Sequence, residues 1–228
     1  MTCRTFTTRS LSTAALLVLL AGCSGGGSGD SDSDGSTGPL QTEQRQVGEF
    51  HQVELRGAGD LTVAVGPATS LTITADPELL RNLKTEVRDG RLIIDHERGW
   101  SWFRSSTLKI ELSTPMLDAL AINGAGDTAI TGVKGEQLAL EVNGAGDLTA
   151  SGETGTLDAH IKGAGDMDLL QLAARDARVS INGAGDLRVR ARGALEATIN
   201  GAGSISYAGS PQQVKTKING AGSIRPAG

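Results

Sequence analysis

The chain has 228 residues, 32 of them glycine and few of them aromatic (three Phe, two Trp, one Tyr), and a net charge of −5 at pH 7. The acidic balance argues against nucleic acid as a partner, because neutralising phosphates requires an excess of Lys and Arg. Glycine without a strict triplet period excludes a collagen-like chain, and the length accommodates one sizeable domain.

Arg4 and Arg9 precede an apolar run from Leu11 to Leu20. A basic segment followed by so short an apolar run reads as a secretory signal over residues 1–22, not as a membrane span. It ends in Leu20-Ala21-Gly22-Cys23, which resembles the bacterial lipobox. That resemblance implies cleavage before Cys23 and acylation of its thiol and amine, palmitate included, giving a membrane contact through an N-terminal lipid. The alternative is an ordinary signal peptide with an incidental cysteine. Cys3 would leave with the signal, so no disulfide is expected. Ser24 after the cysteine points, by analogy with bacterial sorting, to the outer membrane, on its periplasmic or surface face.

Residues 23–39 are nearly all Ser, Gly and Asp. Such a segment buries no apolar surface and predicts a solvated tether reaching roughly 20 Å. Residues 40–120 follow no simple period. Asp76-Pro77 predicts an N-cap and first-turn proline for a short helix through Leu83. Asp89-Gly90 between Thr85–Arg88 and Arg91–His96 predicts a hairpin, and a further strand is expected over Thr107–Leu112. This section is read as an N-terminal coil and cap.

Residues 121–228 are repetitive. Gly-Ala-Gly begins at Gly57 and again at Gly124, Gly144, Gly163, Gly183, Gly201 and Gly220, the last six 20, 19, 20, 18 and 19 residues apart. A period near 20 means stacked units that cannot bury an apolar face alone. Two residues before each triplet lies an aliphatic residue (Leu55, Ile122, Val142, Ile161, Ile181, Ile199, Ile218). Four after its first glycine comes another, with Thr128 the exception. These share the parity of the glycines, so aliphatics and glycines are expected inward and Asn, Ala and Asp outward. A second break is expected at Gly132, Gly152, Gly193 and Gly209, with Gln171–Ala177 replacing it in one copy. Each copy then makes about one coil of an all-β solenoid with coils of about 19–20 residues, stacked at roughly 4.8 Å.

The Ile-Asn-Gly-Ala-Gly-Asp copies, the tract Leu83–Leu92 and the Gly99-Trp100 element resemble the "head GIN" domain. That family is also known as the "putative auto-transporter adhesin" family, domain of unknown function 2807. The resemblance covers about Val47 to Ile224. It implies a right-handed parallel β-helix on secreted or envelope proteins. No C-terminal barrel of the kind an autotransporter would have is expected after Gly228, and the lipid anchor is expected in its place.

Outward Asp127, Asp147, Asp166 and Asp186 form a column continued by Ser204 and Ser223. Carboxylates about 5 Å apart repel, which makes them weak candidates for a cation site. The other reading is that each Asp satisfies backbone N–H groups at the glycine turn. Asn123, Asn143, Asn182, Asn200 and Asn219, interrupted by Lys162, predict an amide ladder. Trp100, Trp102 and Phe103, flanked by Arg98 and Arg104, are a candidate contact for a ligand or an oligomer, and equally a packing cap. His51, His96 and His160 lack metal-ligand spacing, and His160 is read as a solvated residue. Neither a catalytic motif nor a cofactor is expected. The function expected is a non-enzymatic envelope lipoprotein presenting a rigid surface, adhesin-like or scaffold-like, to an envelope protein, a glycan or its own copies. An assembly or stress factor acting through a protein partner is the alternative. A carbohydrate-active β-helix enzyme fits less well, because every coil repeats the same Asp.

Overall fold

A computed structural model describes residues 39–96 and 107–227. The strands are β1 (Gln41–Arg45), β2 (Gln52–Ala58), β3 (Asp60–Val65) and β4 (Ser70–Ala75), followed by helix α1 (Pro77–Asn82), β5 (Leu83–Arg88), β6 (Arg91–His96), β7 (Lys109–Thr114) and β8 (Ala119–Ala125). There follow β9 (Thr128–Ala145), β10 (Leu148–Gly163), β11 (Met167–Gly183), β12 (Asp186–Ala191), β13 (Ala194–Gly201), β14 (Ser204–Ala208), β15 (Gln213–Gly220) and β16 (Ser223–Pro226). From β8 onward every pairing is parallel, coil upon coil, which is the expected β-solenoid.

Each coil contributes two walls. The wall before the Gly-Ala-Gly corner stacks β2, β8, the second half of β9, then β10, β11, β13 and β15. The wall after it stacks β3, the first halves of β9, β10 and β11, then β12, β14 and β16. The period-2 alternation fills the space between them. Leu55, Ile122, Val142, Ile161, Ile181 and Ile199 from one wall are buried, as are Leu61, Leu148, Met167, Leu187 and Ile205 from the other. Thr128 is also buried at its inward position. Ile218 departs from the expectation. It keeps the inward parity but is 44% exposed, because β15 is the outermost strand of its wall among the described residues.

The glycine column needs a correction. Its shared parity with the aliphatics predicts glycines facing inward, with space for a bend or for the opposite wall. In the structure a Cβ on Gly183 or Gly185 would come within 3.0 Å of the carbonyl oxygen of Gly163 or Gly165, in the preceding coil. The obstruction therefore lies along the stack. Gly183 also has φ of 145°, where L-residues are strained. In the copy lacking the second glycine, the register of β11 against β12 jumps between Leu169 and Ala173. The extra residues bulge there, and Leu172 turns inward to full burial.

The N-terminal section extends both walls beyond the Gly57 coil. β6 pairs in parallel with β2, and β5 closes that side as an antiparallel hairpin partner. β7 pairs in parallel with β3, and β4 and β1 then add antiparallel strands. The hairpin turn has Asp89 at φ 50° and Gly90 at φ 75°, the left-handed pair that an Asp-Gly turn supplies. Asp76 caps α1 by accepting from the N–H groups of Glu78 and Leu79 at 3.0 and 2.9 Å. Arg45 donates to the carbonyls of Leu80 and Leu83 at 2.7 Å each, tying β1 to the end of the helix. Leu79 and Leu80 are buried against the core. The expected strand over Thr107–Leu112 is β7, two residues later.

Candidate functional site

The outward rows beside the Gly-Ala-Gly corner are held by hydrogen bonds between coils. Asn143 Nδ2 donates to Asn123 Oδ1 at 2.8 Å, Asn200 to Asn182 at 2.7 Å, and Asn219 to Asn200 at 2.7 Å. Asn123 in turn donates to Glu54 at 3.3 Å. Where Lys162 replaces Asn, its ammonium reaches Glu141 in the preceding coil at 2.6 Å. That contact, with the Asn143 amide second, holds the Glu141 carboxyl below its ordinary value.

The aspartates form a second ladder. Asp60 Oδ1 accepts from the N–H of Asp127 at 3.2 Å, Asp147 from Asp166 at 3.1 Å, and Asp166 from Asp186 at 2.7 Å. Of the expected column, Asp147 and Asp166 act as acceptors, and Asp60 does the same one coil earlier, but each serves the next coil and not its own turn. Among the described residues no group of three or more His, Cys, Asp or Glu is close enough to hold a metal ion.

His160 is not the solvated residue expected. Its Nε2 lies 2.8 Å from Asp158 Oδ1 and its Nδ1 lies 2.6 Å from Ser180 Oγ, with two thirds of its side chain covered. Asp158 and His160 are two apart on β10, and Ser180 is the register partner of His160 on β11. Ser, His and Asp meet here, but only the His160–Ser180 contact is a hydrogen bond, since Asp158 Oδ1 is buried without a hydrogen-bond partner. β11 is also paired on both sides, so the backbone N–H groups around Ser180 serve the ladder and none is left to stabilise an oxyanion. The His160–Ser180 bond therefore fixes side chains between coils. Aligning the repeats would have found it, since His160 and Ser180 occupy one repeat position a single period apart. His160 also lines a depression of about 180 Å³ together with Glu54, Arg91, Ala119, Ala121 and Ala139.

Charge pairs continue across the same wall. Arg178 and Lys215 both reach Glu196, at 3.2 and 3.4 Å, and the Lys215 contact foremost lowers the Glu196 pKa. The Ala194 N–H and the Arg175 guanidinium lower that of Asp176. Cys23 and the group Arg98, Trp100, Trp102, Phe103 and Arg104 lie outside the described residues.

A sequence profile described as "Putative auto-transporter adhesin, head GIN domain" matches residues 49–211. Among solved structures, a "putative adhesin" from Bacteroides fragilis superposes with a TM-score of 0.69 at 22% identity, over 83% of this chain and 97% of that one. A "putative lipid binding protein" from Parabacteroides distasonis gives a TM-score of 0.51 at 22% identity, over 84% of this chain and 98% of that one. At this identity the two structures establish the fold. No curated protein matches the chain. With seven Gly-Ala-Gly corners stacked in register and the profile matched over most of its length, the chain belongs to the head GIN domain family of adhesin-like proteins.

Proposed function

We propose that this protein is a lipid-anchored, non-enzymatic component of the cell envelope whose solenoid presents a rigid binding surface, adhesin-like or scaffold-like. One observation carries the reading. The corners from Gly57 to Gly220 stack in a single register, so small polar groups recur at one-strand spacing along a wall held by its own amide ladder. Such a surface pays little ordering cost on binding and suits an extended or repetitive partner. Acylation at Cys23 would hold it at the membrane. Trp100, Trp102 and Phe103 with Arg98 and Arg104 would supply the affinity, since aromatic and Arg side chains dominate binding hot spots.

The test has two arms. Cell fractionation of the Cys23→Ser variant is expected to show release from the membrane or failure of processing, whereas an unmodified Cys23 in the mature wild-type protein refutes the anchor. The labelled full chain is then profiled against envelope proteins and glycans. Trp100→Ala with Trp102→Ala is expected to cost roughly 2 kcal/mol or more of association. Degradation of a glycan overturns the non-enzymatic reading. Capture of one assembly complex, with loss of that assembly in a deletion strain, gives the role to the partner-dependent alternative.

A further inference from the structure

The two ends of the solenoid are finished differently. At the N-terminal end α1, the β5–β6 hairpin and β4 cover the core. At the other end, among the described residues, β15 pairs only with β13 and β16 only with β14, and every residue of β15 is exposed. Val214 and Ile218 are each 44% exposed, while their register partners Leu195 and Ile199 are at 1% and 0%. A groove of about 520 Å³ along Asp158, Arg178 and Glu196 opens onto Val214 and Lys215.

The charge of this end is also distinct. Beyond Glu196 the chain holds Lys215, Lys217 and Arg225 and no acidic residue, although the whole chain carries −5. The Asp column ends in Ser204 and Ser223. On the wall, charge alternates from Arg178 to Glu196 to Lys215, so the next place in that column calls for an acid. Lys217 stands over Thr198 and has no ion pair among the described residues.

What covers a strand like β15 can be read from β13, which already covers its other edge. Leu195 meets Val214, Glu196 meets Lys215 and Ile199 meets Ile218. We propose that the free edge of β15 accepts one extended strand of a partner protein, aliphatic on its inward face and acidic on its outward face, as an added rung of the solenoid. A second copy of this chain fits less well. Two β15 strands paired antiparallel, inward faces aligned, set lysine against lysine in the registers of fullest overlap. The edges at the opposite end, β1 and β5, have already closed Glu43 with Arg45 and Glu86 with Arg88. Lysines on an open edge also discourage indiscriminate pairing, which leaves acid-bearing strands favoured. This proposal does not rest on the aromatic contact proposed above, and either can fail without the other.

The experiment uses the full chain and two labelled peptides. One is Ala-Leu-Glu-Ala-Glu-Ile-Asn-Gly, the β13 sequence with an acid placed to meet Lys217. The other has lysine at both acidic places. The acidic peptide is expected to bind, to weaken with salt, and to protect the amides of residues 214–219 from exchange. Lys217 pairs with no acid among the described residues, so Lys217→Glu leaves the Glu196 pair intact. Combined with Lys215→Glu it is expected to weaken the acidic peptide about tenfold and to improve the lysine peptide. Equal binding of the two peptides, binding of neither, or protection elsewhere overturns the proposal. A dimer that is lost in the double variant overturns it too, and gives the edge to a second copy.

Discussion

Asn200 Nδ2 donates to Asn182 Oδ1, and Asn200 Oδ1 accepts from Asn219, so one side chain joins three coils. The identical repeat position explains the identical residue, because an amide is both donor and acceptor and can be chained without limit along the stack. Asn200→Ala removes both bonds and is expected to lower stability by about 1–2 kcal/mol in urea unfolding. Combined with Asn219→Ala the loss is expected to be less than additive, since one bond is shared. Full additivity would show that the two amides act independently.

Gly185→Val tests the axial role of the glycine column. The Cβ would press on the carbonyl oxygen of Gly165, and neither backbone can yield without breaking the ladder. A loss of at least about 1–3 kcal/mol is expected. Val at Ala184, which is exposed between the same glycines, is expected to be far milder. An unchanged melting temperature for Gly185→Val would mean that the coils are not spaced as described.

Much of this architecture is legible in the residues themselves. Asp76-Pro77 and Asp89-Gly90 mark α1 and the hairpin because capping and left-handed turns are local chemistry. The alternation around Gly-Ala-Gly marks the inward face for the same reason. Three things are not legible when the chain is read locally, although aligning the repeats would reveal the second. Gly57 stacks directly on Gly124 although 66 residues intervene, because β4 to β7 leave and return to build outside that coil. His160 meets Ser180 across a coil boundary, where adjacency in space is one period in sequence. Ile218 has the parity of a core residue, but parity says nothing about whether another coil follows.

The Glu141–Lys162 pair makes stability depend on pH in a defined direction. The lysine ammonium keeps the folded carboxyl below its ordinary value of 4.5. Between the folded and ordinary values the unfolded chain binds more protons, so the pair's contribution is complete above 4.5 and is lost as pH falls through the folded value. Both groups are partly exposed, so the contribution is about 0.2–1 kcal/mol. The difference in urea midpoint between wild type and Lys162→Met is expected to be constant near neutrality and to vanish in acid. A difference that grows in acid contradicts this.

The aspartate ladder is expected to bind calcium no more tightly than about millimolar, the weak end for protein sites. One oxygen of Asp147 and one of Asp166 are taken by backbone N–H groups of the next coil, and the carboxylates are spread along the stack at about one strand spacing, roughly 4.8 Å. Calcium needs about six to eight oxygens around one point. Calorimetry showing a micromolar Kd, abolished by Asp147→Ala and Asp166→Ala, would reverse this assignment.

The ladder also ranks the chain's five Asn-Gly pairs by chemical lability. In such a pair the glycine nitrogen can attack the Asn carbonyl carbon, expelling ammonia, and water then opens the cyclic imide to Asp or isoAsp. The attack requires a glycine N–H that is not held by a hydrogen bond. Along a paired parallel strand, successive residues face alternate neighbours. Ala221 N donates back to Gly201 O, so Gly220 faces the other way, off the open edge. The glycines after Asn123, Asn143, Asn182 and Asn200 lie on strands paired on both sides. Asn219 is therefore expected to convert first when the folded protein is held in mildly alkaline buffer, as read by peptide mass spectrometry. In denaturant all five are expected to convert alike. The acidic peptide that covers β15 is expected to slow Asn219 and leave the others unchanged. Equal rates at Asn200 and Asn219 in the folded protein would show that the last rung is not open.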